Sequence, residues 1–172
     1  MRIIFLFAFI FISNFGFSQK VANEKDLPSD RATYEKEYAS RIKKEFLYGT
    51  YIPKDVEDAI VQLNKKLETA AIKQFTSFTE EQVRIKGGLK LWILNNWGFY
   101  YGSRLSHTIK QLGILHPDDM AEFVMICYHR RLNNKDLLIK EQVDSYIDKR
   151  AKLMEEKKKK AVLIKEEVKK KN

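Results

Sequence analysis

The stretch LWILNNWGFYYGSRL, residues 91–105, constrains this chain most. It holds both tryptophans, two tyrosines, two glycines, a paired asparagine and one arginine. The residues before it predict a helix over 80–97. Thr79 and Gln82 stand three apart as a capping box, and Glu80 and Glu81 lie at the positive end of the helix dipole. Ile85, Leu89, Trp92 and Asn96 share one face, and Leu91, Ile93 and Leu94 widen it. A helix apolar nearly all round is a buried helix, so the core of the domain is expected here. Gly87 and Gly88 each cost about 1 kcal/mol against Ala inside a helix, so a kink or a close neighbouring backbone is expected there. Gly98 predicts the stop, with Asn96 bonding the last carbonyls. Ser103 then caps a second helix, 104–112, which Gly113 ends.

No stretch alternates with a period of two, and no glycine-rich nucleotide loop appears. The fold expected is all-α: a small single domain of about five to six helices with a long basic C-terminal helix. Ser29 or Asp30 opens a helix over 31–48 that Gly49 ends, and Pro53 opens the next, 53–67, with Val56, Ile60, Leu63 and Leu67 inward. A short helix over 69–75 follows. Ile114 to His116 form an extended connection, and Pro117 opens a helix over 117–133. Met120, Phe123, Val124, Cys127, Tyr128 and Leu132 supply its apolar side, and Asn133 and Asn134 end it.

The first residues stand apart from this domain. Arg2 precedes an apolar run at 3–12, and Gly16 and Ser18 have the spacing of a cleavage site. This is a secretory signal peptide pattern over 1–18, too short for the roughly 20 residues of a membrane span. Its FSQ ending resembles signal peptides of the Bacteroidetes type. Export to the periplasm or beyond is expected, with cleavage after about Ser18, a linker over 19–29, a domain over 30–138 and a basic tail over 139–172. Subtracting +7 for 149–172 and +1 for Arg2 from the net +9 of the chain leaves +1 for residues 19–148. Positive charge is therefore a tail property, and with export it makes nucleic acid an unexpected partner. In the tail, Ile147, Met154, Ala161 and Val168 recur every seven residues, but Arg150 and Lys157 interrupt the seam a coiled coil needs. A solvated helix or disordered extension is expected there, with an anionic membrane surface or a protein partner as the alternative contacts. The single cysteine, Cys127, permits no internal disulfide and reads as a small buried hydrophobe.

Among chemistry-bearing groups, His116-Pro117-Asp118-Asp119 reads first as a helix start, with proline at N1 and acids at the dipole. Asp118 and His129 share a face but lie about 16 Å apart at about 1.5 Å per residue. One zinc ion cannot bind both, so neither a metal nor a cofactor is expected. Ser103 and His107 lack an orienting acid and an oxyanion hole. Trp92 is expected in the core, with Trp97, Tyr100 and Tyr101 bordering the surface near Arg104. Arg104 is expected to pair with Asp118 or Asp119, with Asn95 or Asn96 completing the network. The candidate binding residues are thus Asn95, Asn96, Trp97, Tyr100, Tyr101, Ser103, Arg104, His116, Asp118, Asp119, His129 and Arg130. The ligand class is a protein, a peptide or an envelope glycan, and no catalytic residue is assigned. An envelope-polymer enzyme using Asp118, Asp119 and His116 as acid and base is one alternative, and a membrane-proximal structural protein acting through the basic tail is the other.

IPKDVEDAIVQLNK, LWILNNWGFYYGSRLSHTIKQLGILHPDDM and ICYHRRLNNKDL together resemble a bacterial domain-of-unknown-function family over residues 50–137. Its pattern runs W-I-R-N-N-W-G, then G-S-R-L, then G-I-x-H-P-D-D-M-S, then Y-H-R-x-L. This chain departs from it at Leu94, where the pattern has arginine, and at Ala121, where it has serine. The resemblance implies one domain with a shared cluster: the candidates above without Tyr100 and Tyr101, and with Gly98, Gly102 and Pro117. It implies no reaction.

Overall fold

One helix, Pro117–Leu132, carries the packing of this chain: every residue from Asp119 to His129 is buried. The computed structural model describes residues 30–85 and 87–171, with side chains described up to Val162. The expected signal peptide and linker lie outside the described residues, as does residue 86 within the expected 80–97 helix.

In chain order the described elements begin with α1 (Arg31–Arg41), the hairpin strands β1 (Phe46–Leu47) and β2 (Thr50–Tyr51), α2 (Val56–Lys66), α3 (Thr69–Thr76) and α4 (Glu80–Ile85). They continue with α5 (Gly87–Asn96), α6 (Arg104–Leu112), α7 (Pro117–Leu132) and α8 (Ile139–Lys171). Helices α2 to α6 and α8 all pack on α7. The all-α expectation holds, with more helices than expected among the described residues.

The core is centred on a different helix from the one expected. Of α5 only Ile93 and Leu94 are buried, while Ile85 is 77% and Leu91 58% exposed. The face turned inward runs through Val83, Ile93, Leu94 and Trp97. The sequence disguises α7 as a half-polar helix because Asp119, Glu122 and His129 interrupt its apolar run. These three turn inward and find partners there, so α7 is buried all round. The glycine pair needs no close neighbour either, since a Cβ on Gly87 or Gly88 would meet nothing within 4 Å.

Local signals set most of the boundaries. Asp30 caps α1 through the amides of Ala32 and Thr33. Thr79 and Gln82 exchange the two bonds of their capping box, at 2.9 and 3.2 Å. Ser103 and Ser106 do the same for α6, and Gly113 ends it at φ +112°. His116 Nδ1 accepts from the Asp118 amide, with Pro117 at the first position of α7.

Two boundaries moved. α1 stops at Arg41, because Phe46–Leu47 and Thr50–Tyr51 pair as an antiparallel hairpin instead of extending it to residue 48. Tyr48 and Gly49 form its two-residue turn at φ +50° and +78°, the left-handed pair that suits the twist of a tight hairpin. Phe46 and Tyr51 meet across the strands at 5.5 Å, and Leu47 turns inward. Next, α2 starts at Val56, because the Asp55 carboxylate takes the Asp58 amide at 2.8 Å. Pro53 lies ahead of the helix.

At the other end, α8 is 33 residues long, about 50 Å at about 1.5 Å per residue. Its first turns belong to the core: Gln142, Val143 and Tyr146 are buried. The core therefore reaches past the boundary expected at 138. From residue 151 to residue 162 every position is exposed. Among the described residues no helix is long and apolar enough to cross a membrane.

Candidate functional site

The acid-led start of α7 supplies the densest cluster of charge. Asp119 is 2% exposed, and its two oxygens take Lys149 Nζ at 3.1 Å and Arg150 Nε, both from α8. One turn on, Glu122 accepts from Arg84 of α4 and, at 3.2 Å, from the phenol of Tyr146. Lys90 of α5 and Lys149 stand 4.0 Å from its other oxygen. Burial acts to raise the pKa of Asp119, but the bonds and charges of Arg150 and Lys149 outweigh it and hold the carboxyl below its ordinary value. Burial, reinforced by the Glu122 charge, pushes the Tyr146 phenol well above its usual range. Asp118 faces outward, 3.6 Å from Lys90 and 3.5 Å from His116. The cluster ties four helices together. Sequence reasoning named Asp118, Asp119 and His116 but missed Glu122, Arg84, Tyr146, Lys149 and Arg150. Glu122 follows Asp119 by three residues and so shares its face, which was the one legible clue.

Arg104 does not join this cluster, contrary to expectation. Its Nε donates to the Ile52 carbonyl at 2.7 Å and its Nη1 to Glu45 at 3.1 Å. The guanidinium lies 5.0 Å over the Tyr51 ring. As the first residue of α6, Arg104 reaches back to the strand end and the loop before it. Among the described residues no hydrogen bond or ion pair links it to Asp118 or Asp119, so the expected single polar knot is two separate clusters. Asn96 is spent on the Trp92 carbonyl at 2.8 Å, and Asn95 is half-buried on α5.

The tryptophans also exchange their expected places. Trp97 is buried in the core at 1% exposure, and Trp92 stands edge-on to it at 5.5 Å. Trp92 is only partly buried, with the Lys66 ammonium 4.9 Å from its ring. Tyr101 is buried and Tyr100 partly so. Trp97 is turned inward because it follows Ile93 by four residues on the face that packs on α7. The turn after it needs its glycines. Gly98 sits at φ +65°, where a Cβ would press Leu47 at 3.3 Å. Gly102 sits at φ +89°, and a Cβ there would overlap the Tyr38 ring. Ser103 is buried as the cap of α6.

His129 and Arg130 form a third cluster at the far end of α7. His129 Nε2 lies 2.8 Å from the Phe78 carbonyl, and its buried Nδ1 has no hydrogen-bond partner. Arg130 meets Glu80 at 2.9 and 3.0 Å. Burial acts to raise the pKa of Glu80, and the bond and charge of Arg130 bring it below its ordinary value. Cys127 is buried beside Gln142, and burial pushes its thiol up to about 12. Among the described residues no group of three or more His, Cys, Asp or Glu is placed to hold a metal ion.

Fold and clusters together define a small all-α domain whose charged residues fasten its helices to one buried helix. A domain of unknown function, DUF6794, is found at residues 52–132. No curated protein and no solved structure matches the chain. The matched span runs from the residue before Pro53 to the end of α7, leaving α1, the hairpin and α8 outside. Several of the motif residues inside the span serve those outer elements. Gly102 receives Tyr38, Gly98 borders Leu47, Arg104 reaches Glu45, and Asp119 holds Lys149 and Arg150.

Proposed function

We propose that the chain is an exported helical interaction module of a bacterial cell envelope, with a protein, a peptide or an envelope glycan as its ligand and no catalytic centre. The state of the acids carries this reading. A catalytic acid or base has to reach the proton it moves. The Asp119 carboxylate is 2% exposed with both oxygens engaged by Lys149 and Arg150. His116 and Asp118 are 45% and 42% exposed and lie against each other. Asp119 turns inward onto α8, whereas His116 and Asp118 are half-exposed. Export rests on the apolar run at 3–12 and the small residues before Gln19.

Two measurements test it. Mass analysis of the protein recovered from cell fractions should find a mature chain beginning at Gln19 outside the cytoplasm. A full-length chain retained in the cytoplasm ends the export reading. Cross-linked capture from envelope extract should recover the same ligand with wild type and Asp119→Asn. Turnover of an envelope polymer that is abolished by Asp119→Asn would favour the enzyme instead.

A second reading, contact with an anionic membrane through 149–172, is favoured by one observation. Leu153, Met154 and Val162 are exposed along α8 among its lysines. Deleting 151–172 should remove salt-sensitive binding to phosphatidylglycerol vesicles if that reading holds.

A further inference from the structure

Helix α1 is the least integrated of the described helices. Of its eleven residues only Arg41 is buried. Two side chains three residues apart, and so on one face, hold it in place. The Tyr38 ring lies where a side chain on Gly102 would be, and its hydroxyl is 2.9 Å from His107 Nδ1. Arg41 enters between the rings of Tyr48 and Tyr101, at 5.4 and 5.0 Å. Its Nε donates to the Gly102 carbonyl at 3.2 Å and its Nη1 to the Tyr48 hydroxyl at 2.9 Å. Of the residues that receive the pair, Tyr101, Gly102 and His107 lie inside the 52–132 domain, whereas Tyr48 and α1 itself lie outside it.

The fit is specific but incomplete. Only a glycine leaves room for the Tyr38 ring, and its carbonyl is the acceptor for Arg41. Yet Arg41 Nη2 is buried with no hydrogen-bond partner, a donor stripped of water with only the aromatic faces beside it. An occupant that merely continued the core would bury an apolar stripe, which α1 does not.

We propose that Tyr101, Gly102 and His107 form a docking socket for a helical protein segment presenting a phenol and a guanidinium three residues apart. In this chain α1 fills the socket in cis, as a self-ligand that such a partner displaces. This rests on the interaction-module reading and names its surface and the chemistry of its partner. The occupant follows from the recognition seen: a ring over Gly102, and a cation sandwiched between aromatic faces with a fork onto a carbonyl. A tethered occupant competes at high effective concentration, so a free segment gains access once the tether's own contacts are removed.

The probe is a fluorescent peptide of residues 30–42, titrated into the full chain and into the Tyr38→Ala/Arg41→Ala variant. The variant should bind it saturably and at least tenfold more tightly than wild type does. Adding His107→Ala, which leaves the backbone of Gly102 untouched, should weaken that binding several-fold. Hydrogen exchange in the wild-type chain should be much faster in α1 than in α7. No binding to a variant that keeps its melting transition overturns the socket. So does binding indifferent to His107→Ala, or an α1 that exchanges as slowly as α7. Any of these alongside successful capture from envelope extract would sink the socket alone and leave the interaction reading standing.

Discussion

Replacing Asp119 by asparagine tests the most consequential contact in the structure. The substitution keeps the shape of the side chain and removes its charge. Asp119 is 2% exposed, whereas Lys149 and Arg150 are 47% and 37% exposed. Once released, the two cations regain water, so the loss falls short of the ~3–5 kcal/mol of breaking a fully buried pair. It exceeds the ~0–1 kcal/mol of an exposed pair, because the asparagine is left buried with imperfect partners. About 2 kcal/mol is expected, or roughly 4–8 °C in Tm for a chain of this size. Thermal melts followed by circular dichroism measure it. Hydrogen exchange should localise the change to the first turns of α8. A double-mutant cycle with Arg150→Met isolates the pair. The pH dependence has a fixed sign. A carboxyl held below its unfolded value contributes stability that is complete above about pH 4 and is lost as pH falls through the folded pKa. Asp119→Asn should lack that acid-side loss. A Tm shift under 1 °C, or strict additivity with Arg150→Met, would refute the view that this contact fastens α8 to the domain.

Further outcomes follow from the same coordinates. Gly87→Ala and Gly88→Ala should each raise stability by about 0.5–1 kcal/mol, since each new methyl meets open space; a lower denaturation midpoint for either would show that the glycines are needed. Arg104→Ala should cost about 2–3 kcal/mol by urea titration, because the Ile52 carbonyl loses a charged donor and Tyr51 its stacked cation. Glu45→Ala should cost under about 1 kcal/mol, because Glu45 is 68% exposed. Cys127, buried with its thiol pushed up to about 12, should resist alkylation at pH 8 until the chain unfolds; rapid labelling of folded protein would contradict its placement.

Much of the architecture is local and therefore readable along the chain. A cap is a bond between neighbours, so Thr79 with Gln82, Ser103 before Arg104, and Pro117 after His116 marked their helix starts correctly. Gly98 and Gly113 marked positive φ for the same reason. The hairpin was not legible: Tyr48-Gly49 stands between Phe46-Leu47 and Thr50-Tyr51, and strands of two residues are too short to show alternation. Which helix is central could not be read this way. Burial of Asp119, Glu122 and His129 depends on Arg84, Tyr146, Lys149, Arg150 and the Phe78 carbonyl, partners from 24 to 51 residues away. A charge looks solvated until its counter-charge arrives from another helix, so the buried helix read as half-polar and the more apolar α5 took its place. The destination of Arg104 was hidden for the same reason. Its residue type promised a partner, but only the packing of α6 against the end of β2 decided that the partner is the Ile52 carbonyl and not the acids of α7.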